Sequence, residues 1–164
     1  MAIFCFFRQI LAICLVKKCY KICWLRIFVF ILGNLPVMAR KKFVIEYDFE
    51  KVPLSLLWQF LYTNSGLETW YADEVTNDGK NYTIVWDDEP HDALLLSARQ
   101  NSHVRFHWKA DADEPTFFEM RILVSELTHG RTLKITDFAS NDDEVEEFTE
   151  LWNNSVDMLK RNLG

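Results

Sequence analysis

The stretch Asp142–Leu163, DDEVEEFTELWNNSVDMLKRNL, decides the fold. Val145, Phe148, Trp152, Val156, Leu159 and Leu163 recur at spacings of three and four, which puts them on one stripe of an α-helix. Glu147, Glu150, Asn154, Asp157 and Arg161 fall on the opposite side. The end signals agree: Asn141 or Asp142 can cap the start, acids crowd the first turns, Lys160 and Arg161 occupy the last turn, and Gly164 follows. A helix of about 22 residues is roughly 33 Å long, enough to cross a small domain. Nothing upstream is helical at that length except the unusual N-terminus, so this helix must pack on a sheet. Trp152, in the middle of the stripe, is expected to insert most deeply.

The sheet is legible from Lys42 onward. Phe43, Ile45, Tyr47 and Phe49 alternate with Val44, Glu46, Asp48 and Glu50, the period of a half-buried strand. Pro53 opens a helix over Leu54–Leu61, Asn64-Ser65-Gly66 breaks it, and a second short helix over Gly66–Tyr71 brings Leu67, Trp70 and Tyr71 inward. Asp78-Gly79 marks a hairpin between strands Glu74–Asn77 and Asn81–Trp86. Asp87-Asp88-Glu89-Pro90 then turns the chain into His91–Arg99, and Gln100-Asn101-Ser102 turns it into His103–Lys109. A charged loop leads to a long strand Thr116–Leu127, a turn at His129-Gly130 and a last strand Arg131–Phe138. Short links favour an antiparallel meander, and such a sheet can wrap the final helix so that each buries the other's apolar face.

Composition limits the function. The chain of 164 residues is expected to form one domain with a substantial core. Its net charge of -6 hides a break near Met38. Residues 1–38 carry five bases, no acid and all four cysteines, whereas residues 39–164 carry 13 bases against 24 acids, a net -11. The acidic part argues against nucleic acid, which needs a cationic face. It contains no cysteine, hence no thiol chemistry.

Residues 1–38 are expected to lie outside the working protein, Met38 followed by Ala-Arg-Lys-Lys being the start of the acidic domain. A competing reading is a weak membrane-associating segment, since basic apolar sequence can lie in an interface. A membrane span is too long for Ile22–Leu32, which Arg26 interrupts. The expected location is cytoplasmic, membrane-associated only if residues 1–38 are translated.

Three stretches carry a resemblance. Val52–Val75, VPLSLLWQFLYTNSGLETWYADEV, Leu95–Trp108 with Val104, Phe106 and Trp108, and Glu147–Leu163 with Trp152 resemble the START-like (SRPBCC) superfamily. The resemblance is to its branch related to activators of the heat-shock chaperone ATPase. Ile135-Thr136-Asp137-Phe138-Ala139 before an acidic helix start is similar to the compact START-like proteins of Bacteroidetes. This resemblance implies an α+β helix-grip fold over residues 42–163. In that fold a curved antiparallel sheet of six or seven strands wraps the C-terminal helix, with two short helices after the first strand. It carries no shared catalytic motif onto this sequence.

Candidate chemistry is sparse. His103 and His107 share a strand face with Arg105, opposite Val104, Phe106 and Trp108, and do not make a metal pair. The acidic clusters lack a calcium loop. No metal, cofactor or catalytic triad is expected. Asp137 shares the phase of Leu133 and Ile135, so it points inward at a strand end, where a carboxylate needs partners or takes a raised pKa. Trp70, Tyr82, Phe106, Trp108, Phe118, Asp137 and Trp152 are therefore the candidate residues of a cavity between sheet and helix. Arg121 is a further polar group, of uncertain strand phase.

The leading expectation is a non-catalytic domain that binds a small hydrophobic ligand there. A filled core would instead favour a protein-interaction module of the co-chaperone type. A cyclase-like enzyme would use Asp137 or Tyr82 as acid or base.

Overall fold

The computed structural model describes residues 40–164. Both readings of residues 1–38 fall outside the described residues. Strand β1 (Lys41–Asp48) leads to helices α1 (Leu54–Tyr62) and α2 (Asn64–Glu68). Strands β2 (Glu74–Asp78), β3 (Asn81–Trp86), β4 (Glu89–Arg99), β5 (His103–Trp108), β6 (Phe118–Val124) and β7 (Arg131–Ala139) follow, then α3 (Asp142–Leu163). The strands form one antiparallel sheet in the order β1-β7-β6-β5-β4-β3-β2. The architecture is the expected α+β one. β2 to β7 are a meander, and the helix pair carries the chain from one edge of the sheet to the other.

The turns explain the register. At Gly79, φ is +60° with open space around the Cα, as a tight two-residue hairpin requires. Asp87 and Asp88 both take positive φ, 49° and 64°, so these two residues alone make the next turn. Glu89 and Pro90 then belong to β4, where the proline opposes Val85, and the turn is two residues shorter than the charged run implied. β6 stops at Val124 because Ser125–Thr128 curl into a turn closed by His129 N–H to Ser125 O, leaving Leu127 94% exposed. The helix pair also shifts. Thr63 alone separates α1 from α2, in extended backbone, and its hydroxyl caps α2 by accepting from Gly66 N–H at 3.0 Å.

Alternation along each strand separates two faces. The inner one carries Phe43, Ile84, Ala93, Val104, Phe106, Phe118, Met120, Leu133 and Ile135, all buried. α3 lies against β7 and β1, with Phe148 tilted on Phe43 and with Trp152, Val156 and Leu159 buried. Val156 and Leu159 are wholly buried whereas Trp152 keeps 6% exposure, so the deepest point of the stripe lies one to two turns beyond the tryptophan. Asn141 is the cap, accepting from Glu144 N–H at 2.9 Å, while the Glu144 carboxylate accepts from Ser140 N–H. On the outer face Glu119, 5% exposed, receives both Arg105 and Arg121. Burial alone would raise its pKa; the hydrogen bonds from Arg121 and Arg105 outweigh that and hold it below the usual range.

Gly66 sits where α2 crosses the end of α1: a Cβ there would lie 2.3 Å from Gln59 O and 2.7 Å from Phe60 Cα. Backbone atoms cannot step aside as a flexible side chain can. Gly66→Ala is expected to cost about 2–3 kcal/mol, the range for overpacking a tight site. A urea melt showing a loss under about 0.5 kcal/mol would refute this contact. Trp152→Ala is expected to cost about 3–5 kcal/mol in the same assay, the range for a large buried aromatic; a loss below about 1 kcal/mol would mean that the tryptophan contributes little to the core.

Candidate functional site

Between α2 and β2 the chain runs Thr69-Trp70-Tyr71-Ala72-Asp73, and hydrogen bonds fix this connection at both ends. The Trp70 indole donates to Phe60 O at 2.9 Å, and the Trp86 indole donates to Tyr71 O. The Glu68 carboxylate accepts from Val75 N–H at 3.0 Å, and Asp73 accepts from Asp87 N–H at 2.8 Å. From the last turn of α3, the Asn162 side chain donates to Thr69 O at 2.8 Å. The connection is thus pinned beside the helix instead of lying flat on the sheet.

α3 covers the β1–β7 side of the inner face, α1 and α2 add Leu57, Leu61 and Leu67 to the core, and aromatic rings occupy the Trp86 and Trp108 ends of β3 and β5. Tyr71 stacks on Trp152 with centroids 5.3 Å apart and meets Trp86 edge-on at 5.2 Å. Trp86 meets Trp108 at 5.9 Å, and Trp108 stacks on Phe118 at 4.7 Å. Over these rings opens a groove of about 1100 Å³, bounded by the α2–β2 connection, the ends of β3, β5 and β7, and α3. It is open to solvent, not a closed chamber. Leu151 and Met158 of α3, 56% and 46% exposed, stand on its rim.

Asp137 is the polar centre of this groove. Its Oδ2 accepts from the Trp152 indole N–H at 3.0 Å and its Oδ1 from Phe138 N–H at 2.8 Å. Burial nevertheless dominates, pushing the carboxyl up to about 6, with Asp111 adding to the rise and Arg40 opposing it. Arg40 is itself held by Glu114 at 2.8 Å and Asp111 at 3.2 Å. Burial, and then the charge of Asp137, push the Tyr71 phenol well above its ordinary value. At neutral pH the site therefore contains a carboxylate that is easily protonated and, near it, a phenol that stays protonated.

Of the residues singled out from sequence, Trp70, Trp108, Asp137 and Trp152 line the groove. Tyr82, Phe106 and Phe118 do not. They are 4%, 1% and 0% exposed and fill the core beneath it, Phe106 stacked on Phe118 at 5.1 Å and Tyr82 edge-on to Phe106 at 5.0 Å. Arg121 lies on the outer face with Glu119, away from the groove. An acid–base role for Tyr82 thus has no access to the groove, and Tyr71 is the phenol beside Asp137. Sequence reasoning turned Tyr71 and Phe148 inward and ended a strand at Trp86 without assigning them to the site, and it missed His91, Leu151 and Met158. The available signal was position along the strand: Trp86 and Trp108 are the last residues of β3 and β5, whereas Tyr82 and Phe106 are interior to theirs. His103 and His107 sit on the outer face of β5. Among the described residues no three His, Cys, Asp or Glu side chains gather as a metal site, and no helix is long and apolar enough to cross a membrane.

Comparison with known proteins fits this geometry. The START-like superfamily domain matches residues 37–164. The solution structure of BfR322 from Bacteroides fragilis is 36% identical, covering 77% of this chain and 93% of that one with a TM-score of 0.54. The Aha1 dimer from Colwellia psychrerythraea is 14% identical over 75% of this chain and 96% of that one, with a TM-score of 0.63. CalU16 from Micromonospora echinospora is 12% identical over 77% and 83% of the two chains, with a TM-score of 0.60. The last two share the fold alone. No curated protein matches the sequence. The family match over the whole acidic domain and the close relative from Bacteroides fragilis lead to one conclusion: this chain belongs to the START-like superfamily.

Proposed function

We propose that the domain binds a small hydrophobic ligand in the groove between the sheet and α3, without catalysing a reaction. The observation that carries this is the aromatic groove of about 1100 Å³ with a single buried-side carboxylate, Asp137, at its centre. Ligand sites combine apolar walls, which supply affinity, with a few polar groups, which fix orientation. Tyr71, Trp86, Trp108 and Trp152 supply the walls, and Asp137 the orienting group.

Energetics support the same reading. The folded-state pKa of Asp137, about 6, lies above the unfolded value of about 3.9. Between those values the folded chain binds more protons than the unfolded one, so the contribution of Asp137 to stability falls as pH rises through about 4 to 6. Ionised at neutral pH, it costs on the order of 2–3 kcal/mol relative to its protonated form. Groups with such shifts cluster at functional sites, where a ligand can supply the missing partner.

A protein-interaction module is the second reading, favoured by the exposed Leu151 and Met158 on the rim of the groove. In that case a partner's side chains, not a small molecule, would cover the rings.

Two measurements test the proposal. Ser155 lines the groove from α3, so Ser155→Trp is expected to fill it while leaving the buried stripe intact. Native mass spectrometry of protein purified from its own host should find a retained small molecule on the wild type and none on Ser155→Trp. If the wild type carries no added mass and also fails to bind 2-naphthylmethanol, the ligand reading falls and the interaction reading replaces it. Asp137→Asn, which has no proton to gain, should improve relative to wild type by on the order of 2 kcal/mol between pH 4.5 and 7.5 in urea melts. A difference that stays flat with pH would show that the carboxyl is not held as the groove geometry implies.

A further inference from the structure

The groove reading above leaves the ligand's chemistry open, and the charges around the rings narrow it. Glu68, Asp73, Asp87, Asp92, Asp111 and Asp137 line the groove, against Arg40 and Lys109, a net of -4. Both lining cations are already engaged. Arg40 pairs with Asp111 at 3.2 Å and Glu114 at 2.8 Å, and Lys109 approaches Asp92 at 3.7 Å. A cleft of one charge sign between apolar walls focuses its field inward and raises the local concentration of the opposite ion.

The rings point the same way. Tyr71, Trp86, Trp108 and Trp152 contribute indole and phenol rings to one groove, and aromatic rings attract cations, tryptophan most strongly. Asp137 sits among them with both oxygens receiving one hydrogen bond each, from Trp152 and Phe138. A carboxylate has about four acceptor sites, so it retains capacity for a further donor. An anionic ligand would face uncompensated repulsion at this carboxylate; a neutral one would leave it without a counter-charge.

We infer that the groove selects organic cations: ligands with an apolar, ring-sized body and a protonated or quaternary amine that seats beside Asp137. The inference rests on the groove being a ligand site and adds the class of ligand that it takes. The apolar body lies over Trp86 and Trp108, and the amine takes an acceptor site of Asp137 that Trp152 and Phe138 leave open.

The test uses the full chain and three probes with one apolar body: 2-naphthylmethylammonium, 2-naphthylmethanol and 2-naphthoate. Dissociation constants come from calorimetry at neutral pH and low salt, and the indole N–H resonances of Trp70, Trp86, Trp108 and Trp152 report where each probe sits. The cation is expected to bind at least tenfold tighter than the anion, with the neutral probe between them and the groove indoles shifting. In Asp137→Asn the cation's advantage over the neutral probe should shrink to under threefold. The wild-type ranking stands without that variant, should it fold poorly. An anion that binds as tightly as the cation, or a cation that moves none of the groove indoles, overturns the inference while the neutral probe's binding upholds the site. Failure of all three probes overturns the site itself.

Discussion

One helix has to cover the inner face of a seven-stranded sheet, and it is not wide enough. α3 is 22 residues long and lies over β7 and β1, where Val156 and Leu159 seal the core. An α-helix with its side chains is about 10–12 Å across, whereas seven strands at about 4.8 Å span roughly 30 Å. The uncovered strands cannot expose a bare apolar surface without inviting association. The buried leucines of α1 and α2, aromatic rings and the α2–β2 connection close part of the gap, and what they leave is the groove. The site follows from the shortage of cover, and its walls follow from the residues recruited to relieve it.

Trp152 joins the two halves of this arrangement. Its ring packs on Tyr71 and its indole N–H satisfies Asp137 at 3.0 Å. The same side chain therefore belongs to the helix stripe, to the aromatic wall and to the polar centre. Burial of Asp137 is tolerable because two donors meet it, yet those donors do not cancel the desolvation, and the carboxyl remains raised to about 6. The outer face resolves a comparable problem differently: Glu119 receives two arginines and is held fully charged. One carboxylate is paired off; the other is left underpaired where it lines the groove.

Much of the fold was legible because it depends on periodicity. The stripe from Val145 to Leu163 and the alternation in Phe43–Tyr47 and His103–Trp108 each name their own element, and the inward phase of Asp137 followed from Leu133 and Ile135. The candidate site was half legible. Inward phase identifies every residue that faces the helix, but not whether something lies on top of it. Tyr82, Phe106 and Phe118 have the same phase as Trp86 and Trp108, yet they sit beneath other rings and are closed off. Leu151 and Met158 lie off the buried stripe of α3 and still line the groove, a tertiary fact with no local signature. Turn lengths failed for a similar reason. Two aspartates at positive φ do what a longer run of polar residues promised.

The pairing of β1 with β7 bears on how the chain reaches this structure. Lys41 lies opposite Ala139, while every other adjacent pair of strands is consecutive in sequence, joined by links of two to nine residues. Hairpins between neighbours close small loops and form early; a contact from Lys41 to Ala139 closes a large one, and its entropic cost comes before its reward. β1, the first strand among the described residues, is thus the last to have a partner. β1 waits for an edge that exists only once β7 has formed, and α3 waits with it, since its apolar stripe rests on those same two strands. Until both arrive, the aromatic wall is an exposed surface on an open meander. In the growing or refolding chain, the groove is what remains of that surface after the last two elements have docked.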